Sequence, residues 1–135
     1  MIALLTDFGD SEYSGMMRGV IHSICPSAHV VDLTHSVSPQ CVIEAAWILL
    51  QSHRFFPSGT TFVCVVDPGV GTSRRAVLVQ TPDYNFIAPD NGILWPTLES
   101  STVSLIVDLN VPDDASPTFW MFISHFTCLD DRVRS

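Results

Sequence analysis

The chain has 135 residues, 47% hydrophobic and 15% charged, with a formal net charge of −8. That balance excludes a disordered tail and suffices for one domain with a real core. Six Lys and Arg against fourteen Asp and Glu argue against binding nucleic acid through its phosphates, which needs clustered cations.

Ile2 to Leu5 is a short apolar run ended by Thr6-Asp7-Phe8-Gly9-Asp10, which predicts a buried strand feeding a polar turn. After Ser14, the residues Met16, Met17, Val20, Ile21 and Ile24 fall at helical spacing, and Pro26 stops the helix. Val30 to Leu33 reads as a second strand, followed by Thr34-His35-Ser36. Val42 to Leu50 predicts a helix that is apolar on most sides and therefore well buried. Thr61 to Val66 is continuous and β-branched, as a central parallel strand requires, and runs into Asp67-Pro68-Gly69-Val70-Gly71. Ala76 to Gln80 and Asn85 to Ala88 read as two further strands around Pro82-Asp83. Asp90-Asn91-Gly92 opens a short helix through Leu98, and Val103 to Leu109 reads as a last strand. The stretch Pro112 to Pro117 predicts a loop, and Phe119 to Phe126 is aromatic without clear punctuation.

Alternating strands and helices with apolar strands predict an α/β fold: a mostly parallel central sheet with helices on both faces. Ligands of such sheets sit beyond the carboxyl ends of the strands. Thr6-Asp7, Thr34-His35, Asp67 and Asp90 each follow a predicted strand, so four polar clusters share one edge. Cys25, Cys41, Cys64 and Cys128 show no CxxC spacing. Cys64, within an apolar run, reads as a buried small hydrophobe. Without a disulfide framework a reducing compartment is the default. Met1 to Asp10 lacks a basic leader, and no apolar run approaches the roughly 20 residues of a membrane span. The expectation is a cytoplasmic protein with no membrane partner.

A carboxylate at the Asp7 position can accept both hydroxyls of a ribose; the plainer alternative is a turn or helix-capping aspartate. In Asp67 to Arg75, glycines allow close backbone approach, and a carboxylate beside an arginine can orient a water or stabilise developing charge. The alternative is a tight turn with a surface ion pair. A P-loop is rejected, since GxxxxGK[ST] is absent. Asp90-Asn91-Gly92 is either a hairpin turn or a pocket edge. His35 with Asp7, Asp32 and Asp67 is a weak metal set, because HxH and HExxH spacings are missing.

The ordered segments Thr6-Asp7-Phe8-Gly9, Glu12 to Ile21, Val31 to His35, Pro39-Gln40, Phe56 to Thr60, Val65 to Arg74 and Ala88 to Gly92 resemble the SAM hydroxide adenosyltransferases, relatives of the fluorinase and chlorinase. The resemblance covers about residues 2 to 119. It implies hydrolysis of S-adenosylmethionine (SAM) to adenosine and methionine, with SAM as substrate and no other cofactor and no metal. It implies Asp67 and Arg74 as catalytic residues, and Asp7, Phe8, Ser14, Asp90 and Asn91 as substrate-binding residues. It also implies a homo-oligomer, a trimer in full-length relatives. Asp67 to Gly71 stands where the halogenase branch has Tyr-Pro-Ala-Thr-Gly, and Gln40 where it has tryptophan; both favour the hydroxide branch. Glu12 replaces the usual aspartate.

After Ser116 to Phe119 the family continues His-Gly-Arg-Asp, and that histidine completes its catalytic set. Here Trp120 follows instead, and His125 stands five positions late, so no role passes to it. Residues 1–119 are therefore expected to be the family's N-terminal domain, incomplete at its end, and 120–135 a tail foreign to it. The family's C-terminal β-rich domain is expected to be missing, as a shifted reading frame, an alternative splice junction or a gene-model error would leave it. Two other readings follow: a catalytically inactive truncated fragment, and a nucleoside-binding or interaction module.

Overall fold

The structure is a computed structural model that describes residues 1–68 and 75–109. The described elements run β1 (Ile2–Thr6), α1 (Glu12–Ile24), β2 (Val30–Thr34), α2 (Val42–Ser52), a 3-10 turn (His53–Phe55), β3 (Thr61–Val65), β4 (Ala76–Gln80), β5 (Asn85–Pro89), α3 (Trp95–Leu98) and β6 (Leu105–Asp108). The strands form one sheet in the order β2-β1-β3-β5-β4-β6. β2, β1, β3 and β5 are mutually parallel, whereas β4 runs antiparallel to both β5 and β6. The mostly parallel α/β sheet read from the sequence is present, with a β-hairpin inserted on one side.

The period-2 alternation of the strands divides the core into two layers. Ala3, Leu5, Phe62, Cys64 and Phe86 face α2 and α3, packing with Ala45, Ala46, Leu49 and Ile93. Ile2, Leu4, Val63, Val65 and Ile87 face α1, packing with Met17 and Ile21. Helices therefore cover both faces. β1 and β3 are buried along their whole length, which is why they read as unbroken apolar runs. Each large side chain sealed in this way stabilises the fold by about 1.5–3 kcal/mol. Burial raises the pKa of the Cys64 thiol to about 12, so it packs as an apolar group and is no nucleophile at neutral pH.

Two sequence expectations need correction. α2 is not buried on most sides: Ala45, Ala46 and Leu49 are sealed, but Ile43 is 84% and Trp47 58% exposed. These two lie four residues apart on the stripe away from the sheet. The last strand is shorter than expected, and among the described residues it lies at the sheet edge with exposed Leu105 and Ile106, since only β4 of the described strands pairs with it.

Candidate active site at the carboxyl edge of the sheet

Because β1, β2, β3 and β5 are parallel, their carboxyl ends share one edge. β1 ends at Thr6 and delivers Asp7 and Phe8; its neighbour β3 ends at Val65, paired with Thr6, and delivers Asp67. Asp7 and Asp67, 60 positions apart in sequence, thus follow two hydrogen-bonded strand ends. β5 delivers Asp90 and Asn91 to the same edge. Arg74 lies outside the described residues.

The Asp7 carboxylate is held in place by backbone. Its Oδ2 accepts the Gln40 N–H at 2.7 Å. Gln40 is the one non-glycine residue with positive φ among the described residues, at 60°. An L-residue there carries strain of about 1–2 kcal/mol, and such strain collects where a functional backbone geometry is enforced. On the other side of the loop, the Gly9 N–H donates to the His35 carbonyl at 2.7 Å. Gly9 has φ +65°, and a Cβ there would meet nothing within 4 Å, so glycine answers a conformational demand and not a steric one. Phe8 packs its ring on Tyr13 at 5.9 Å, beside Ser14 in the first turn of α1. The Ser14 hydroxyl turns back to the Ser11 carbonyl at 3.4 Å.

Asp90 accepts from Arg75 at 2.7 Å, and Arg75 also reaches Asp108 at 3.5 Å. Hydrogen bonding and the charge of Asp90, then the charge of Asp108, hold this guanidinium above its ordinary pKa. Asn91 is turned toward the protein. Its amide donates to the Val66 carbonyl at 2.9 Å, and its Oδ1 accepts the Ile93 N–H at 3.1 Å. Asn91 thereby clamps the backbone immediately before Asp67. Asp90-Asn91-Gly92 leads from β5 toward α3, so it is not a hairpin joining two strands. Gly92, at φ +89°, makes that turn possible.

His35 makes ordinary hydrogen bonds, to Thr6 and to Asp32, both at 2.7 Å. Among the described residues no three His, Cys, Asp or Glu side chains gather as a metal would require. Cys41 and Cys64 are free thiols. Among the described residues no helix is long and apolar enough to cross a membrane. Sequence reasoning missed the Arg18–Asp32 and Arg75–Asp90 pairs. Spacing carries no signal for the second. For the first, Arg18 faces Asp32 only because α1 packs over the β2 side of the sheet.

Carboxylates at the ends of adjacent parallel strands stand where open α/β sheets place their ligands. Comparisons with known proteins identify the family of the domain. Residues 2–122 match the SAM hydroxide adenosyltransferase N-terminal domain, and the chain belongs to that family. It is 38% identical over 93 residues to an (R)-S-adenosyl-L-methionine hydrolase of Thermus thermophilus, covering 68% of this chain and 36% of that protein. It is 37% identical over 117 residues to an (R)-S-adenosyl-L-methionine hydrolase of Salinispora arenicola, covering 83% and 43%. A fluorinase of Actinoplanes is 28% identical over 148 residues, covering 89% and 50%. The crystal structure of an uncharacterized conserved protein from Thermotoga maritima superposes with a TM-score of 0.88 at 39% identity, covering 97% of this chain and 54% of that one. The chain thus spans half or less of the length of these curated relatives.

Proposed function

We propose that this chain carries the carboxylate side of a SAM-hydrolysing site. Water attacks C5′ of SAM. The new bond is O–C5′, the bond broken is C5′–S, and its electron pair neutralises the sulfonium as methionine leaves. The water's proton passes to Asp67, which acts as base, while Arg74 stabilises the charge between them. The sulfonium is already a good leaving group, so the work is positioning, and no cofactor or metal is needed. Asp7, pinned through Oδ2, would use Oδ1 for the ribose hydroxyls, with Phe8 and Ser14 beside it. Asp90 and Asn91 would close the far wall.

The observation that carries this reading is the delivery of Asp7 and Asp67 by the paired ends of β1 and β3. The hydrolase names of the relatives at 37% and 38% identity support it over the halogenase alternative. A homo-oligomer, a trimer as the resemblance implies, fits the exposed Ile43, Trp47 and Trp95. Cytoplasmic residence fits the free thiols. We also take residues 1–119 as the family domain and 120–135 as a tail. A second reading, a chain that binds SAM or a nucleoside without turning it over, is favoured by Trp120 standing where the resemblance calls for histidine.

Adenosine release from SAM, followed by chromatography, tests the proposal. Wild-type release falling at least ~100-fold in Asp67→Asn is the expected result. Saturable SAM binding without release selects the second reading. Neither release nor binding overturns both.

A further inference from the structure

Thr6 is fully buried at the end of β1, a place where valine would serve burial and strand formation equally well. A hydroxyl there is costly unless bonded. It is bonded twice: Thr6 Oγ1 lies 2.7 Å from His35 Nδ1, and accepts the Phe8 N–H at 3.2 Å. His35 Nε2 in turn lies 2.7 Å from Asp32 Oδ1, and Arg18 from α1 pairs with that same carboxylate oxygen.

The directions of these bonds follow from chemistry. Burial alone would raise the Asp32 pKa, but hydrogen bonds and charge from Arg18 and His35 outweigh it and hold the group below its ordinary range. Asp32 is therefore an acceptor, and His35 Nε2 is the donor to it. Thr6 Oγ1 shares a hydrogen bond with His35 Nδ1 and presents a lone pair to the Phe8 N–H.

The arrangement needs a local irregularity. In a regular strand, residues three apart point to opposite faces. Asp32 and His35 meet because the β1–β2 register shifts: Leu4 pairs with Asp32 but Leu5 with Thr34. The skipped residue, Leu33, behaves as a bulge that re-aims the chain beyond it. His35 is thereby returned to the side of Asp32, the side that α1 covers.

We propose that Thr6 and His35 are positioning residues for ribose recognition: a relay from Arg18 through Asp32, His35 and Thr6 to the Phe8 amide that sets the Asp7–Gly9 loop. The inference rests on the site reading given above. Two further bonds belong to the same junction, Gly9 N–H to the His35 carbonyl and Gln40 N–H to Asp7. The relay touches no reacting atom. It fixes where the Asp7 carboxylate stands.

The experiment compares wild type with Thr6→Val, Thr6→Ser and His35→Gln, by two readouts besides thermal melting. Calorimetry gives SAM affinity, and hydrogen exchange by NMR gives protection of the Phe8 and Gln40 amides. Thr6→Val is expected to lose roughly 10-fold in both affinity and amide protection, as for one lost hydrogen bond, with little change in melting temperature. Thr6→Ser restores both, and His35→Gln behaves as Thr6→Val. Wild-type affinity and protection in folded Thr6→Val overturn the relay, as does a Thr6→Ser variant no better than Thr6→Val. If His35→Gln fails to fold, the Thr6 pair decides alone. If wild type binds no SAM, the site reading falls, and amide protection in Thr6→Val still decides the relay.

Discussion

Two corners of the same sheet edge use similar residues to different ends. At the β1–β2 corner, Arg18 and Asp32 open a chain that ends on a buried hydroxyl and a backbone amide. At the β5–β4–β6 corner, Arg75 bridges Asp90 and Asp108, with side chains 60%, 48% and 35% exposed. Water screens the second set, and such pairs contribute little to stability. The first set ends in a group that water does not reach, so its geometry is handed on to the loop beside it. A drawn ion pair therefore says little until its far end is followed.

The largest expected effect sharpens that comparison at the ligand. Asp7→Ala is expected to weaken adenosine binding roughly 10- to 100-fold, since hydrogen bonds to a charged group are worth about 1.5–3 kcal/mol. Asp108→Ala, at the screened corner, leaves the affinity at the wild-type value. Titration calorimetry on the two variants checks this. Equal losses would mean that the Arg75–Asp108 pair holds the ligand site as firmly as Asp7 does, and that screening does not separate the two corners.

The second effect concerns stability. The firm element of the β5 corner is Asn91, whose amide joins the Val66 carbonyl to the Ile93 N–H. Asn91→Ala leaves a part-buried carbonyl without its donor and is expected to cost about 1–3 kcal/mol. Arg75→Gln, which removes two exposed ion pairs, is expected to leave the urea midpoint unmoved. A larger shift from Arg75→Gln than from Asn91→Ala would reverse the ranking of clamp over ion pair.

The legibility of these features in the sequence follows their range. β1 and β3 were readable because full burial on both faces writes itself as an unbroken apolar run. The shared carboxyl edge followed from parallel strands alone, and with it the placing of Asp7, Asp67 and Asp90. The exposed stripe of α2 was not readable, because Ile43 and Trp47 are apolar whichever way they point. His35 illustrates a middle case. Its hydrogen-bonded state was the plain expectation, but its partners depend on the register shift at Leu33, which no spacing rule announces. Asn91 looked like a turn signal and is one, yet the same side chain ties two elements 25 residues apart.

The smallest effect tests whether charge matters at the β1–β2 corner at all. The Asp32 pKa is depressed in the folded chain because Arg18 and His35 outweigh the opposing effect of burial. A depressed carboxylate stabilises the fold fully above its unfolded pKa, near the ordinary value of 3.8, and the contribution is lost as pH falls through the folded value. Asp32 is 44% exposed, so screening holds this contribution to less than about 1 kcal/mol. Asp32→Asn is therefore expected to lower stability slightly at pH 7 and to converge with wild type in acid below the carboxylate range. Urea unfolding at pH 7, 4 and 2.5 measures the difference. A gap that stays constant through that range would show that Asp32 acts by shape and hydrogen bonding alone, and the relay would then need no charge at its outer end.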